Sequence, residues 1–142
     1  MEIQFIRLPS ADPVHGFDLG HIVLVGKLDT ARSDKTSQAS MIFVAISELL
    51  TGLCPFLGRK VRVFEFVAAD SSFAVTFRWR SEAVEISSSR RVLEVVSEQE
   101  LWGSVQTAVS EFFSDPSNIL SESDPVATDV SASLQEFSAL FG

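Results

Sequence analysis

Four large apolar side chains at alternate positions, Phe73, Val75, Phe77 and Trp79, constrain this chain more than any other stretch. Between and after them stand Ala74, Thr76, Arg78 and Arg80. A period of two puts the four apolar groups on one face of a β-strand. The preceding run carries Val61, Val63 and Val67 at the same spacing, and Ala69-Asp70-Ser71-Ser72 is polar enough for a hairpin loop. After it, Val84 and Ile86 alternate with Ala83 and Glu85. Lys60 to Ser87 therefore reads as a three-stranded antiparallel meander. A two-residue turn at Ser81-Glu82 sets Trp79 opposite Val84, Phe77 opposite Ile86 and, on the outer face, Arg78 opposite Glu85. A slip by one residue would spoil both faces. Ser-Glu is not a favoured pair for such a turn, so a longer loop stays open as an alternative.

The rest of the chain reads as cover for this sheet. Glu2–Leu8 is a strand, and Pro9–Gly20 is a loop. Ile22–Leu28, apolar on both faces, is an interior strand, with Gly26 marking a bulge or a close backbone approach. Thr30–Ser37 is polar and reads as a loop. Residues 38–53 form a helix capped by Ser37, apolar around most of its circumference and hence buried, ended by Gly52 and Pro55. Val92–Val96 is a fourth meander strand. Ser97-Glu98-Gln99-Glu100 is a capping box opening a helix over 98–113, with Leu101, Trp102, Val105, Ala108, Val109, Phe112 and Phe113 on its apolar stripe. Asp124 caps and Pro125 starts a last helix over 125–141, whose docking face is Val130, Leu134, Phe137, Leu140 and Phe141. The expected class is α+β: a mostly antiparallel sheet of about six strands with three helices packed on it. Residues 1–116 make one domain. Residues 117–142 are a linker and an amphipathic helix that docks on this domain or on a second subunit.

Composition narrows the function classes. At 142 residues the chain is long enough for one real core, and 46% apolar content is ordinary. Twelve Phe and no Tyr place many rings without a polar handle in covered positions. The single cysteine, Cys54, allows no internal disulfide. No apolar run approaches ~18 residues and no signal-peptide pattern opens the chain, so the expected compartment is the cytoplasm. Net charge is −8, unevenly spread. Residues 1–91 hold all 11 Lys and Arg against 10 Asp and Glu; residues 92–142 hold 9 Asp and Glu and no basic residue. Such a half repels phosphate backbones and suits a basic protein partner through steering, or serves solubility alone. Nucleic acid and membrane are not expected partners; the last helix has no Lys or Arg on its polar face.

Candidate chemistry is sparse. Asp12, His15, Asp18 and His21 have ligand-type side chains, but their spacing matches no metal motif, and a solvated loop explains them as well. Cys54, flanked by Leu53, Pro55 and Phe56, reads as a buried inert thiol. Glu65 interrupts the apolar face Val61, Val63 and Val67; buried there it would be a pocket carboxylate, and otherwise a margin residue paired with an arginine. Arg62, Arg78 and Arg80 are expected on the outer face, away from Trp79, so no base-stacking platform forms. The chain contains no Gly-rich phosphate loop, Ser elbow or Cys-x-x-Cys. No catalytic residue, metal or cofactor is assigned.

The acidic balance, the short α+β pattern and the late helix Leu-Trp-Gly-Ser-Val-Gln-Thr-Ala-Val-Ser-Glu-Phe-Phe (101–113) carry a resemblance. Over roughly residues 1–116 the chain resembles, as a pattern, the small acidic immunity proteins of bacterial polymorphic toxin systems. That resemblance implies a non-catalytic inhibitor whose acidic surface blocks a basic toxin domain. The leading expectation is a protein-binding module using Glu98, Glu100, Glu111, Asp115, Glu122, Asp124 and Asp129. Two alternatives stand beside it. One is a self-associating adaptor, a homodimer through the last helix. The other is a small-molecule binder or enzyme with a pocket between sheet and helices centred on Glu65.

Overall fold

The computed structural model describes residues 1–35 and 37–141; Thr36, inside the expected loop 30–37, and Gly142 lie outside the described residues. In chain order come β1 (Glu2–Arg7), β2 (Leu19–Val25), β3 (Thr30–Arg32), β4 (Ser40–Met41) and α1 (Ile42–Leu57). Then follow β5 (Val63–Val67), β6 (Ala74–Arg80), β7 (Ala83–Ser88), β8 (Arg91–Val96), α2 (Glu98–Ser114) and α3 (Pro125–Ser138). Single 3₁₀ turns occupy Ser33–Lys35 and Pro116–Asn118. The class is α+β and every strand pairing is antiparallel.

The meander forms in the expected register. Trp79 lies opposite Val84, Phe77 opposite Ile86 and Arg78 opposite Glu85. Ser81, at φ 59°, takes the left-handed conformation that a two-residue turn demands. On the outer face Glu85 pairs with Arg80 at 3.0 Å, the diagonal neighbour, rather than with Arg78. On the inner face Val75, Phe77, Trp79, Val84 and Ile86 are buried.

β5 is turned over relative to expectation. Phe64 and Phe66 point inward, opposite Phe77 and Val75, while Val63, Glu65 and Val67 are exposed. Both faces of this stretch are apolar, and the face with two phenyl rings buries more surface than the face with valines.

The strands divide into two four-stranded sheets instead of one sheet of about six. β1-β2-β3, with β4 also paired to β2, make the first, and β5-β6-β7-β8 the second. β3 and β4 come from stretches expected as loop and helix start; three and two residues are too short to show a period. β2 is the interior strand expected, shifted three residues toward the N-terminus from 22–28, with Ile22, Val23 and Leu24 all buried. The sheets meet directly where Leu28 N–H donates to Leu93 O at 2.9 Å.

α1 runs between both sheets and α3, touching β1, β2, β4 and β5. Ile42, Phe43, Ala45, Ile46, Leu50, Leu53 and Phe56 are fully enclosed, as its all-round apolarity requires. It starts four residues later than expected, because Ser40–Met41 pair with β2 and Ile42 N–H donates to Asp18 O at 3.0 Å. It also runs through Gly52 and Pro55 to Leu57. Pro55 and Thr51 one turn earlier are both exposed, so water can serve the carbonyl that proline leaves without a donor. Gly52 is a packing site: a Cβ there would come 2.1 Å from the Phe64 ring.

Gly26 is the close backbone approach its place in the sequence suggests. A Cβ there would lie 2.2 Å from Leu93 O. Gly26→Ala must push two backbones apart, and we expect it to destabilise the fold by about 1–3 kcal/mol. An unchanged thermal midpoint for this variant would contradict the contact between the sheets.

α2 starts where expected, and Glu100 N–H donates to the Ser97 hydroxyl at 3.1 Å. The reciprocal half of the capping box is not made: Glu100 turns to the Met1 ammonium, 3.4 Å away. α2 lies on β1 and β7, so it too spans both sheets. α3 packs along α1 of the same chain, with Val126, Val130, Ser133 and Phe137 buried and Leu134 half-buried. Its helix stops at Ser138; Leu140 is half-buried, and Phe141, outside the helix and 40% exposed, sets its ring edge against Trp102. No helix among the described residues is long and apolar enough to cross a membrane.

Candidate functional site

Several expected sites disperse. Glu65 is exposed on the outer sheet face and lines none of the hollows described here, so it is no pocket carboxylate. In the 9–21 region, His15 Nε2 lies 3.0 Å from Asp18 Oδ1, while His21 Nδ1 turns to the Ser33 hydroxyl at 3.0 Å and Asp12 is exposed. No group of three or more His, Cys, Asp or Glu among the described residues is arranged to hold a metal. Cys54 is 6% exposed, and burial together with the neighbouring Glu136 carboxylate pushes its thiol up to about 11. It stays protonated and unreactive near neutral pH. Arg62 departs from the outer face and shares a hollow with Arg59 and Trp79, where the Arg59 guanidinium sits 3.9 Å above the indole.

The expected acidic residues separate by role. Asp124 is structural: its carboxylate accepts from Val126 N–H at 2.9 Å and from Gly16 N–H at 2.8 Å, tying α3 to the 9–18 loop. Glu98 is half-buried in the first turn of α2, and Glu122 is exposed in the linker; neither joins the others in a hollow. Asp129 meets two carboxylates that the sequence reading left out. With Glu48 of α1 and Glu136 of α3 it lines a groove of about 370 Å³ between the two helices.

Glu100, Glu111 and Asp115 come together beside β1. Glu100, Glu111 and Glu2 line one hollow of about 420 Å³ between α2 and the start of β1. Glu111 and Asp115 line the adjoining cleft of about 540 Å³, with Gln4, Arg7 and Asn118. Because Glu111 belongs to both, four carboxylates border one continuous strip along the α2–β1 seam. Ser117 N–H and hydroxyl donate to Asp115 Oδ1 at 2.9 and 2.8 Å and hold its carboxyl below the usual range, helped by the charge of Arg7.

Arg7, the cation in the cleft, is already committed. Its Nε donates to Asn118 Oδ1 at 2.9 Å, Nη2 to Ser117 O at 3.1 Å, and Nη1 lies 3.4 Å from Asp18, whose side chain is 7% exposed. Asn118, also buried, donates to Phe112 O at 2.9 Å. The guanidinium therefore staples the 3₁₀ turn and the 9–18 loop to β1. Glu111 and Glu2 make no ion pair among the described residues.

One feature deepens the negative potential. Glu111 and Asp115 stand at the C-terminal end of α2, and no basic residue occupies its last turn. A helix C-terminus carries partial negative charge, so carboxylates there work against local stability. Glu94 adds nothing to it: 4% exposed on β8, it accepts from Lys27 N–H at 3.2 Å and lies 3.2 Å from the Met1 ammonium. A register shift between Ile86 and Ser87 turns Leu93 and Glu94 both inward, which strand periodicity could not reveal.

Compared with known proteins, the chain matches no family model, no curated protein and no solved structure.

Proposed function

We propose that the chain is a non-catalytic protein-binding module that docks a basic protein surface on the α2–β1 seam, in the manner of an immunity-type inhibitor. The observation that carries this reading is the strip itself: Glu2, Glu100, Glu111 and Asp115 border adjoining hollows whose one arginine is spent on structural contacts, and the Met1 ammonium meets Glu100 alone of the four. Carboxylates that destabilise the end of their own helix gain a rationale if a cationic partner neutralises them. Fixed charge of one sign accelerates encounter with the opposite sign and sets orientation. Asp129, Glu48 and Glu136 form a separate acidic groove between α1 and α3.

The test uses the protein that wild-type chain recovers from its native cells, identified and then purified. Its association with wild type should slow as salt rises, and Glu2→Lys with Glu111→Lys should slow it about tenfold or more at low salt, with dissociation little changed. As an inhibitor's target, the recovered protein should arrest growth when expressed alone and not when co-expressed with wild type. Equal association rates for both forms at low and high salt would remove the strip from the interface.

A further inference from the structure

The second sheet has two edges that the molecule treats differently. Along β8, Leu28 N–H bonds Leu93 O, Gly26 presses on the same carbonyl, and Lys27 N–H bonds the Glu94 side chain. The other edge, β5, pairs with no further strand among the described residues. Arg62 O accepts from Trp79 N–H and Ala68 N–H donates to Phe73 O, so residues 62, 64, 66 and 68 turn their backbone groups toward β6. Val63, Glu65 and Val67 then turn theirs outward. Neither proline nor a bulge falls within Val63–Val67; the one edge-blunting feature there is the charge of Glu65. Val61, Val63 and Val67 are 42, 41 and 46% exposed.

The geometry points to a second copy of this chain as the occupant, joined by antiparallel β5–β5 pairing about a two-fold axis at Phe64. Three features single out this register. It places Val63 opposite the partner's Glu65 and Glu65 opposite the partner's Val63, so outward backbone groups meet and the outer faces align. An axis at Glu65 would oppose two carboxylates, and an axis at Val63 would pair fewer outward-turned residues. Charge complementarity follows as well. Arg78, beside Val63 on β6, and Glu65 make no ion pair among the described residues. The axis puts Arg78 in line with the partner's Glu65, two strand spacings or about 10 Å away, a gap the two extended side chains bridge over Val63. On the inner face the half-buried Phe64 ring, stacked 5.8 Å from Phe77, meets its own copy and loses its exposed margin. The product is a closed isologous dimer with a continuous eight-stranded sheet. The pairing is independent of the acidic seam.

Sedimentation velocity over a rising concentration series reads this directly. Wild type should move from the 15.5 kDa chain mass toward twice that value. Glu65→Lys and Arg78→Glu, each an exposed substitution, should weaken association about tenfold through two symmetric cross-strand pairs, and the double variant should restore it. Glu65→Pro removes an outward N–H, not one bonded to β6, and should leave a folded monomer. The proposal is overturned by a wild-type chain that stays at monomer mass up to the highest concentration. It is overturned equally by a dimer indifferent to all three substitutions in variants whose circular dichroism remains native.

Discussion

Phe77→Ala should lower the free energy of unfolding by about 3–5 kcal/mol. Phe77 is 1% exposed at the middle of β6, between Phe64 on β5 and Ile86 on β7. Its ring lies 5.8 Å from Phe64 and 6.2 Å from Phe56 of α1. The substitution removes transfer energy and leaves a void. The strands on both sides are held by ladder hydrogen bonds, so the void cannot close by a simple shift of one element. A domain of this size has about 5–15 kcal/mol in total, so the loss is a large share of it. The midpoint should fall by roughly 10 °C, and Phe77→Leu should cost much less. Urea unfolding followed by the fluorescence of Trp79, two residues on and 6% exposed, measures it. A midpoint equal to wild type would refute the register of the meander.

Truncation after Asn118 should destabilise the chain by at least about 3 kcal/mol, the usual minimum cost of deleting one buried phenyl ring. α3 seals α1: Phe137 has no exposed surface, and Val126 and Val130 are 7 and 5% exposed. Trp102 Nε1–H donates to Phe137 O at 2.9 Å, and the Ser47 hydroxyl donates to Asp129 O at 3.3 Å. Without α3 these donors and an apolar strip of α1 face water. A patch of that kind binds hydrophobic dyes and drives aggregation. Phe137→Ala isolates the largest contact and should itself cost about 3–5 kcal/mol. A truncated chain with the wild-type melting temperature and no dye binding would show that α3 adds nothing to the fold.

Much of this architecture is written locally. β6 and β7 alternate apolar with polar or small residues, so one register satisfies both faces, and that register forms. The α2 stripe and the Asp124-Pro125 start of α3 are equally local, because capping and helical spacing act within a few residues. Charge is written too: the absence of Lys and Arg after Arg91 makes the C-terminal half acidic in any fold.

Tertiary structure decided what neighbouring residues cannot. Val63-Phe64-Glu65-Phe66-Val67 has two apolar faces, so only packing against β6 and α1 could choose the phenyl face and leave Glu65 in water. Pro55 stays inside α1 because its position on the exposed side lowers a penalty that sequence reasoning charges in full. The candidate site shows the same division. Glu2 and Glu111 are 109 positions apart, and Glu48 and Glu136 are 88, so nothing in the chain's order joins them. Composition determined how many carboxylates this protein carries. Packing determined that Glu94 and Asp124 are consumed in holding the fold, while Glu2, Glu111 and Asp129 remain exposed. The reason is physical: burial and adjacency are properties of the closed core, and they exist only after elements distant in sequence have met.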